Sequence, residues 1–403
     1  MSLMVHIEKL VYGGRSLGRH NGRTVLTPFV LPGEKVLVEV ERESADLLMG
    51  RPLAIESAAE WRAAPPCPYF SRCGGCHYQH IPYQRQLEFK REILLETLAR
   101  LGKIEWSGPA PIVSGPEWGY RNRVQLRVER VEGRVEIGFL EMGSRRLCPV
   151  DVCAISSPAI QRSLAALRRM AGERRFPGFL GQLELFSNES DVQLTVLESA
   201  RPLARRFFDW CAEQIAGFCR GDSLEYAEGG EVYRVSRRSF FQVNRFLVPR
   251  LIELATAGPV GDTAVDLYAG VGPFSLALAR RFARVVAVEA NLSAARNLEE
   301  NAGRAGVTVE VRHQPAEEFL NSFDGPADFV LADPPRTGLG PAVTTRLARL
   351  KPRRLTVASC DPATLARDLR ALVAAGFRID SVKLIDLFPQ TFHIESMVEL
   401  IGP

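Results

Sequence analysis

Asp266-Leu267-Tyr268-Ala269-Gly270-Val271-Gly272-Pro273-Phe274-Ser275 follows an apolar run and leads into a helical stretch. Two glycines spaced G-x-G let a backbone turn sharply and approach a ligand closely. A dinucleotide fingerprint would carry a third glycine where Ser275 stands, so this turn is of another kind. Around it, apolar strands near 264–267, 285–288, 307–311, 329–331 and 355–358 alternate with helical stretches. From about residue 243 onward this predicts a mostly parallel sheet with helices on both faces. The runs 378–387 and 394–401, joined by a short loop, predict an antiparallel hairpin at the sheet edge.

In open α/β sheets, ligands bind beyond the carboxyl ends of the strands. Chemistry-bearing residues gather at those ends. Glu289 closes one strand, where a carboxylate can take both hydroxyls of a ribose. Asp333-Pro334-Pro335-Arg336 follows another, and Ser359-Cys360-Asp361-Pro362 follows the next. Asp361 suits a helix cap and Pro362 the first helical position, so Cys360 is expected beside a helix amino terminus. The dipole there favours thiolate over thiol. Glu395 opens the last strand, after Phe392-His393-Ile394. Taken singly, such a cysteine is usually buried and inert, and such carboxylates are usually solvated or capping. Their joint occurrence points to a site.

Phe240-Phe241-Gln242-Val243-Asn244, the turn at 266–275, Asp-Pro-Pro-Arg, Ser-Cys-Asp-Pro and the terminal His-x-Glu occur in one order along the chain. In this the sequence resembles the S-adenosylmethionine-dependent RNA uridine-5-methyltransferases, in particular the iron–sulfur branch acting on large-subunit (23S) rRNA. The resemblance spans nearly the whole chain. It implies a Rossmann-like methyltransferase domain in an α/β chain. It implies that Cys360 adds to carbon 6 of uracil, that carbon 5 then takes the methyl group, and that Glu395 removes the carbon 5 proton. Asp333 and Arg336 would hold the pyrimidine. Gln242, Tyr268, Gly270, Glu289 and Asp333 would bind S-adenosylmethionine. Two departures from the family's pattern are Pro273, where an asparagine is frequent, and Pro315, where a polar residue is frequent.

Three of the eight cysteines, Cys67, Cys73 and Cys76, fall within ten residues, which favours a metal or cluster site over disulfides. Gly74-Gly75 leaves amides free to approach sulfur. A fourth ligand has two candidates, Cys148 and Cys153, and spacing alone admits zinc as well as an iron–sulfur cluster. The family resemblance implies a 4Fe-4S cluster on Cys67, Cys73, Cys76 and Cys153. Cys211 and Cys219 read as core residues.

Short strands with turn signals over 4–57 predict a small β-barrel, and it resembles the RNA-binding TRAM barrel, an oligonucleotide-binding type of fold. The expected domains are a barrel over 1–58, a mixed α+β domain carrying the cysteines over 59–240, and the methyltransferase domain over 241–403. An amphipathic helix over 84–101 can pack on the last of these. Net charge is only +4, but 45 of the 51 basic residues are arginine. Close pairs crowd the middle of the chain: Arg121/Arg123, Arg145/Arg146, Arg168/Arg169, Arg174/Arg175, Arg205/Arg206 and Arg237/Arg238. They suggest a polyanion-binding surface, with RNA as partner. No apolar run has membrane-spanning length and the amino terminus has no secretory pattern, so a cytoplasmic monomer is expected. Rival readings are a tRNA uridine-5-methyltransferase, a cluster-bearing RNA-binding protein without activity, and a cytosine-5 methylase. The cytosine enzymes need a second cysteine where Asp-Pro-Pro-Arg stands. Amino-group methylases use an aromatic where Arg336 stands.

Overall fold

The computed structural model describes all 403 residues. The amino terminus is a closed barrel of β1 (Ser2–Val11), β2 (Arg15–His20), β3 (Arg23–Pro28), β4 (Lys35–Glu43) and β5 (Leu47–Ser57), ordered β1-β2-β3-β5-β4 and shut by β1 pairing with β4. Val5, Ile7, Val36 and Val38 alternate with outward residues and fill it, as the two-residue period of a strand requires. Helix α1 (Tyr83–Gly102) and the short strand β6 (Ile112–Val113) follow. The central sheet comprises β7 (Arg123–Val131), β8 (Arg134–Leu140), β9 (Leu147–Pro149), β10 (Leu180–Ser187) and β11 (Val192–Ser199). It is antiparallel, ordered β11-β10-β7-β8-β9, with α2 (Pro158–Ala171) and α3 (Arg205–Gln214) packed on its core. A hairpin of β12 (Ser223–Glu228) and β13 (Glu231–Ser236) then leads to the last domain.

That domain runs α4 (Val248–Thr256), β14 (Gly261–Leu267), α5 (Pro273–Leu278), β15 (Phe282–Val288), α6 (Leu292–Arg304), β16 (Glu310–Arg312), α7 (Ala316–Ser322) and β17 (Phe329–Ala332). It ends with α8 (Gly340–Leu350), β18 (Arg354–Ser359), α9 (Pro362–Ala374), β19 (Arg378–Ile385) and β20 (Glu395–Ile401). The sheet order is β16-β15-β14-β17-β18-β20-β19-β6. Alternate strand residues feed two cores. Val265, Val330, Val357 and Val398 face α1, α7, α8 and α9, while Ala264, Phe329, Leu331 and Met397 face α4 and α5. Each such valine, leucine, phenylalanine or methionine side chain, fully buried, contributes about 1.5–3 kcal/mol. The predicted α/β fold is therefore the one found.

Two details differ from the sequence reading. The hairpin is antiparallel, but β20 lies between β18 and β19, and the outer edge is taken by Ile112 and Val113 in parallel with Leu384 and Ile385. A two-residue strand gives no periodicity to read. Cys211 is a core residue, whereas Cys219 is half-buried with its Sγ 3.2 Å from the Ser223 carbonyl. No helix is long and apolar enough to cross a membrane.

Helix α1 lies against α9, and its Ile93, Leu94 and Leu98 enter the core of the last domain. Lys90 sits on the same apolar stripe and is fully buried. Its Nζ donates to Asp386 Oδ1 at 2.6 Å and to the Phe388 carbonyl at 2.9 Å, while the Tyr83 hydroxyl donates to Asp386 Oδ2 at 2.9 Å. Breaking a buried pair on one side leaves an uncompensated charge. Lys90→Met should therefore lower the unfolding free energy by about 3–5 kcal/mol in urea titrations. Lys90→Met with Asp386→Leu should recover most of it. Equal losses in the single and double variants would contradict this account.

Candidate active site

The register of the parallel strands aligns the site. Leu267 pairs with Val288 on one side and Ala332 on the other. Tyr268, Glu289 and Asp333 are thus each one residue past the end of three adjacent ladders. Tyr268 has φ 64°, left-handed for a non-glycine residue, and this turns the chain away from the strand direction. Gly270 also has positive φ, and a Cβ built there would meet nothing within 4 Å, so one side of the turn is open. Gly272 differs: a Cβ there would press on Leu298 Cγ at 2.9 Å, so its role is close packing on α6.

The carboxylates around that open side are only partly engaged. Glu289 accepts from the Gly270 amide at 2.8 Å and the Asn291 amide at 2.6 Å, one per oxygen, which leaves further lone pairs. Asp266 is fully buried; one oxygen accepts from the Ser275 hydroxyl and the other, Oδ1, has no partner. Burial raises its pKa to about 7, with Asp333 and Glu289 adding to the rise. Asp333 accepts from Gln242 Nε2 at 3.4 Å, and burial raises its pKa to about 6. A cluster of carboxylates with unspent acceptor capacity, beside a turn whose Gly270 side is open, fits a molecule carrying vicinal hydroxyls and a positive charge. Pro273 occupies the first position of α5, where the missing amide would be unpaired in any case, and Pro315 is the residue preceding α7.

Cys360 and Glu395 are brought together by the antiparallel ladder of β18 and β20. Its pairs run from Arg354 with Ile401 to Ser359 with Ser396. Cys360 and Glu395 are the next residues beyond that last pair, at the same end of the ladder, and Glu395 acts electrostatically on the Cys360 thiol. The Ser396 hydroxyl donates to the Ser359 carbonyl at 3.2 Å and fixes this end of the ladder. Asp361 caps α9 as the sequence suggested, with Oδ1 accepting from the Ala363 and Thr364 amides at 2.9 Å each. Glu395 is buried, and burial with the nearby Asp333 holds its carboxyl well above the usual range, against the pull of Arg336.

The expected thiolate is not what this environment favours. Burial, then Glu395 and Asp333, push the Cys360 thiol up to about 11, and Arg336 opposes them. Desolvation and two acids outweigh one helix terminus of modest strength. Arg336 is exposed, with Nη2 3.4 Å from both ring nitrogens of His393. Burial and that guanidinium lower His393 to about 3, so it is neutral.

The motif at 240–244 has three separate anchors. Phe241 is buried among Tyr226 and Tyr233 of the β12–β13 hairpin, Gln242 reaches Asp333, and Asn244 Nδ2 donates to the Leu387 carbonyl at 3.0 Å. Sequence reasoning overlooked Lys90, Tyr83 and Asp386, which brace the loop before Glu395. The signal was present: Lys90 is one of six lysines and interrupts the stripe Leu87, Leu94, Leu98.

Cys67, Cys73, Cys76 and Cys153 all line one cavity of about 460 Å³, together with Arg121, Phe240 and His393. Cys148 does not line it and is buried in the central core. The Gly75 amide lies 3.4 Å from Cys73 Sγ.

Residues 221–402 match the family model of the tRNA (uracil-5-)-methyltransferases. Over 98% of its length the chain is 33% identical to a 23S rRNA (uracil(1939)-C(5))-methyltransferase of Alkalilimnicola ehrlichii, covering 95% of that protein. The chain belongs to the RNA uracil-5-methyltransferase family. A second such rRNA enzyme, from Chromohalobacter salexigens, is 34% identical over 98% of the chain and 88% of its own length. The crystal structure of Pyrococcus abyssi tRNA (uracil-54, C5)-methyltransferase in complex with S-adenosyl-L-homocysteine superposes with TM-score 0.74 at 24% identity. It covers 99% of this chain and 100% of that one, so the fold of this family member is shared from end to end.

A thiol held near 11 is mostly protonated at neutral pH, and its thiolate fraction grows tenfold per pH unit until the pKa is reached. Alkylation of Cys360 by iodoacetamide in the ligand-free protein should therefore rise about tenfold per unit from pH 7 to 9 without levelling. Peptide mass spectrometry would follow it. A plateau below pH 8 would mean that the helix terminus dominates after all.

Proposed function

We propose that this chain methylates carbon 5 of one uridine in 23S rRNA through a covalent adduct on Cys360. The observation that carries the proposal is the placement of Cys360 and Glu395 just beyond the last pair of the β18–β20 ladder, close enough to influence each other, with Asp333 at the end of the neighbouring strand β17. Similarity at 33–34% identity along the full length to 23S rRNA enzymes supports rRNA over tRNA. Eight arginines of the close pairs are exposed, and the six of them that make no ion pair, Arg145, Arg169, Arg174, Arg205, Arg206 and Arg238, suit phosphate contact.

S-adenosylmethionine, when bound, supplies the methyl group and a positive charge on its sulfur. Glu289 suits its ribose hydroxyls, the open side of Gly270 its approach, and Gln242, Tyr268 and Asp333 the walls around it. Positive charge beside Asp333 favours the ionised forms of Asp333, Glu395 and Cys360 together, which the ligand-free site suppresses. The Cys360 thiolate attacks carbon 6 of uracil; the carbon 5–carbon 6 π pair moves to carbon 5 and its conjugated carbonyl. Asp333 and Arg336 hold and polarise the pyrimidine. Carbon 5 then takes the methyl group. Glu395 accepts the carbon 5 proton, the double bond reforms, and the bond from Sγ to carbon 6 breaks to release the thiolate. Neutral His393 can donate to the ring but is poorly suited to act as the base.

Cys67, Cys73, Cys76 and Cys153 would hold a 4Fe-4S cluster. Four thiols around one cavity suit such a cluster. Such a group would cross-link the segment over 67–79 to the central domain; methyl transfer needs no redox step.

Two results are expected. Glu395→Gln should accumulate RNA bonded to Cys360, stable to denaturing electrophoresis and labelled from the methyl donor, while Cys360→Ala binds the donor and forms no adduct. Wild-type turnover of 23S fragments by Glu395→Gln would remove Glu395 as the base, and labelling of tRNA alone would move the substrate. Protein purified without oxygen should be brown, with about four irons per chain. Cys153→Ser should lose the colour and Cys148→Ser retain it; colourless protein with stoichiometric zinc would refute the cluster.

A further inference from the structure

The turn between β1 and β2 of the amino-terminal barrel, Tyr12-Gly13-Gly14, reaches the catalytic turn 349 residues away in sequence. The Tyr12 hydroxyl donates to Asp361 Oδ2 at 3.0 Å. Asp361 is the neighbour of Cys360, and its other oxygen caps α9. Its backbone is held as well: the Ser359 hydroxyl donates to the Asp361 carbonyl at 3.1 Å and Thr364 Oγ1 does so at 3.2 Å. The barrel therefore supplies one of the bonds that fix the short turn on which the thiol rides. The same turn also abuts the loop before Glu395. Tyr12 meets Phe392 edge to face with centroids 5.7 Å apart. Gly14 has φ 78°, which is strained for a larger residue, and a Cβ there would stand 3.0 Å from Phe392 and 3.1 Å from His77, so those rings would have to shift to admit one.

We propose that Tyr12 is a positioning residue for Cys360, acting through Asp361, so that the barrel completes the active site in addition to any contact it makes with RNA. This rests on the reading of Cys360 as the nucleophile. Tyr12 touches no reacting atom. It restrains the carboxylate side chain whose rotation would let the Ser359–Pro362 turn relax, and small displacements of a reacting group cost large factors in rate.

Tyr12→Phe keeps the ring on Phe392 and removes only the hydroxyl. On a 23S fragment that the wild type methylates, kcat should fall about tenfold with KM for RNA unchanged and the melting temperature nearly so. Asp361→Ser keeps a capping oxygen but loses the partner of Tyr12. Adding Tyr12→Phe to it should cost nothing further, because the pair acts as one unit. A raised KM with unchanged kcat would make Tyr12 an RNA contact and overturn the proposal. So would additive losses, or a fall in kcat matched by loss of folded protein. If the wild type methylates no RNA, the functional reading fails, and iodoacetamide then decides the matter without substrate. Cys360 in Tyr12→Phe should react at a rate several-fold different from the wild type at pH 8, because the turn that carries the thiol has lost a restraint. An equal rate overturns the role of Tyr12.

Discussion

Strand β20 runs antiparallel between β18 and β19, and the site depends on that insertion. A parallel strand in its place would start at the other end of the sheet and carry Glu395 away from the carboxyl ends where Tyr268, Glu289 and Asp333 emerge. Because β20 is reversed, its first residue lies level with the end of β18 and the start of α9. A slip of one residue would turn Glu395 to the other face of the sheet. The slip is opposed on both sides: Val398 and Leu400 belong to one core, Met397 to the other. Hydrophobic sorting of a short strand is thus what sets a thiol and a carboxyl at the same end of the ladder.

The arrangement carries an energetic cost. Asp266, Asp333 and Glu395 crowd one region with their carboxyls held above their ordinary range, and Cys360 is pushed up beside them. Each of these acids binds its proton more tightly folded than unfolded. Stability from this source is therefore fully present below the unfolded carboxylate range and falls as pH rises towards the folded values, about 6 for Asp333 and about 7 for Asp266. The surrounding core offsets that loss. A site whose acids resist ionisation is one that a positively charged ligand would complete, which links the folding cost to ligand binding.

Much of this was legible in the sequence, for identifiable reasons. The alternation of apolar strands with helices gave the sheet, and the G-x-G turn, Asp333, Cys360 and Glu395 each lie at an element boundary that punctuation residues mark. Pro362 and Asp361 marked the start of α9 correctly. What stayed hidden depends on contacts between distant segments. The ionisation of Cys360 could not be read from a helix start, because burial and two acids from other strands decide it. The outer edge of the sheet is two residues from another part of the chain. The contact of Tyr12 with Asp361 joins a barrel turn to a helix cap and leaves no periodic trace.

The loop from Asp386 to Ile394 is where the parts of the molecule meet. Lys90 and Tyr83 of α1 hold Asp386. Gln86 bonds both ways with Gln390, a fully buried residue of positive φ. The amides of His77 and Tyr78, in the cysteine segment, donate to the Gln390 carbonyl at 2.8 and 3.0 Å. Tyr120 donates to the Pro389 carbonyl at 3.0 Å from the edge of the central domain. Phe392 receives Tyr12 and Gly14 of the barrel. Polar bonds of this kind, buried and fully paired, specify one loop geometry, since any other leaves groups unsatisfied. Glu395 follows directly, so its position is determined jointly by the helix, the cysteine segment, the central domain and the barrel. The division into domains describes how the chain is organised, whereas the position of Glu395 is a property of their contacts.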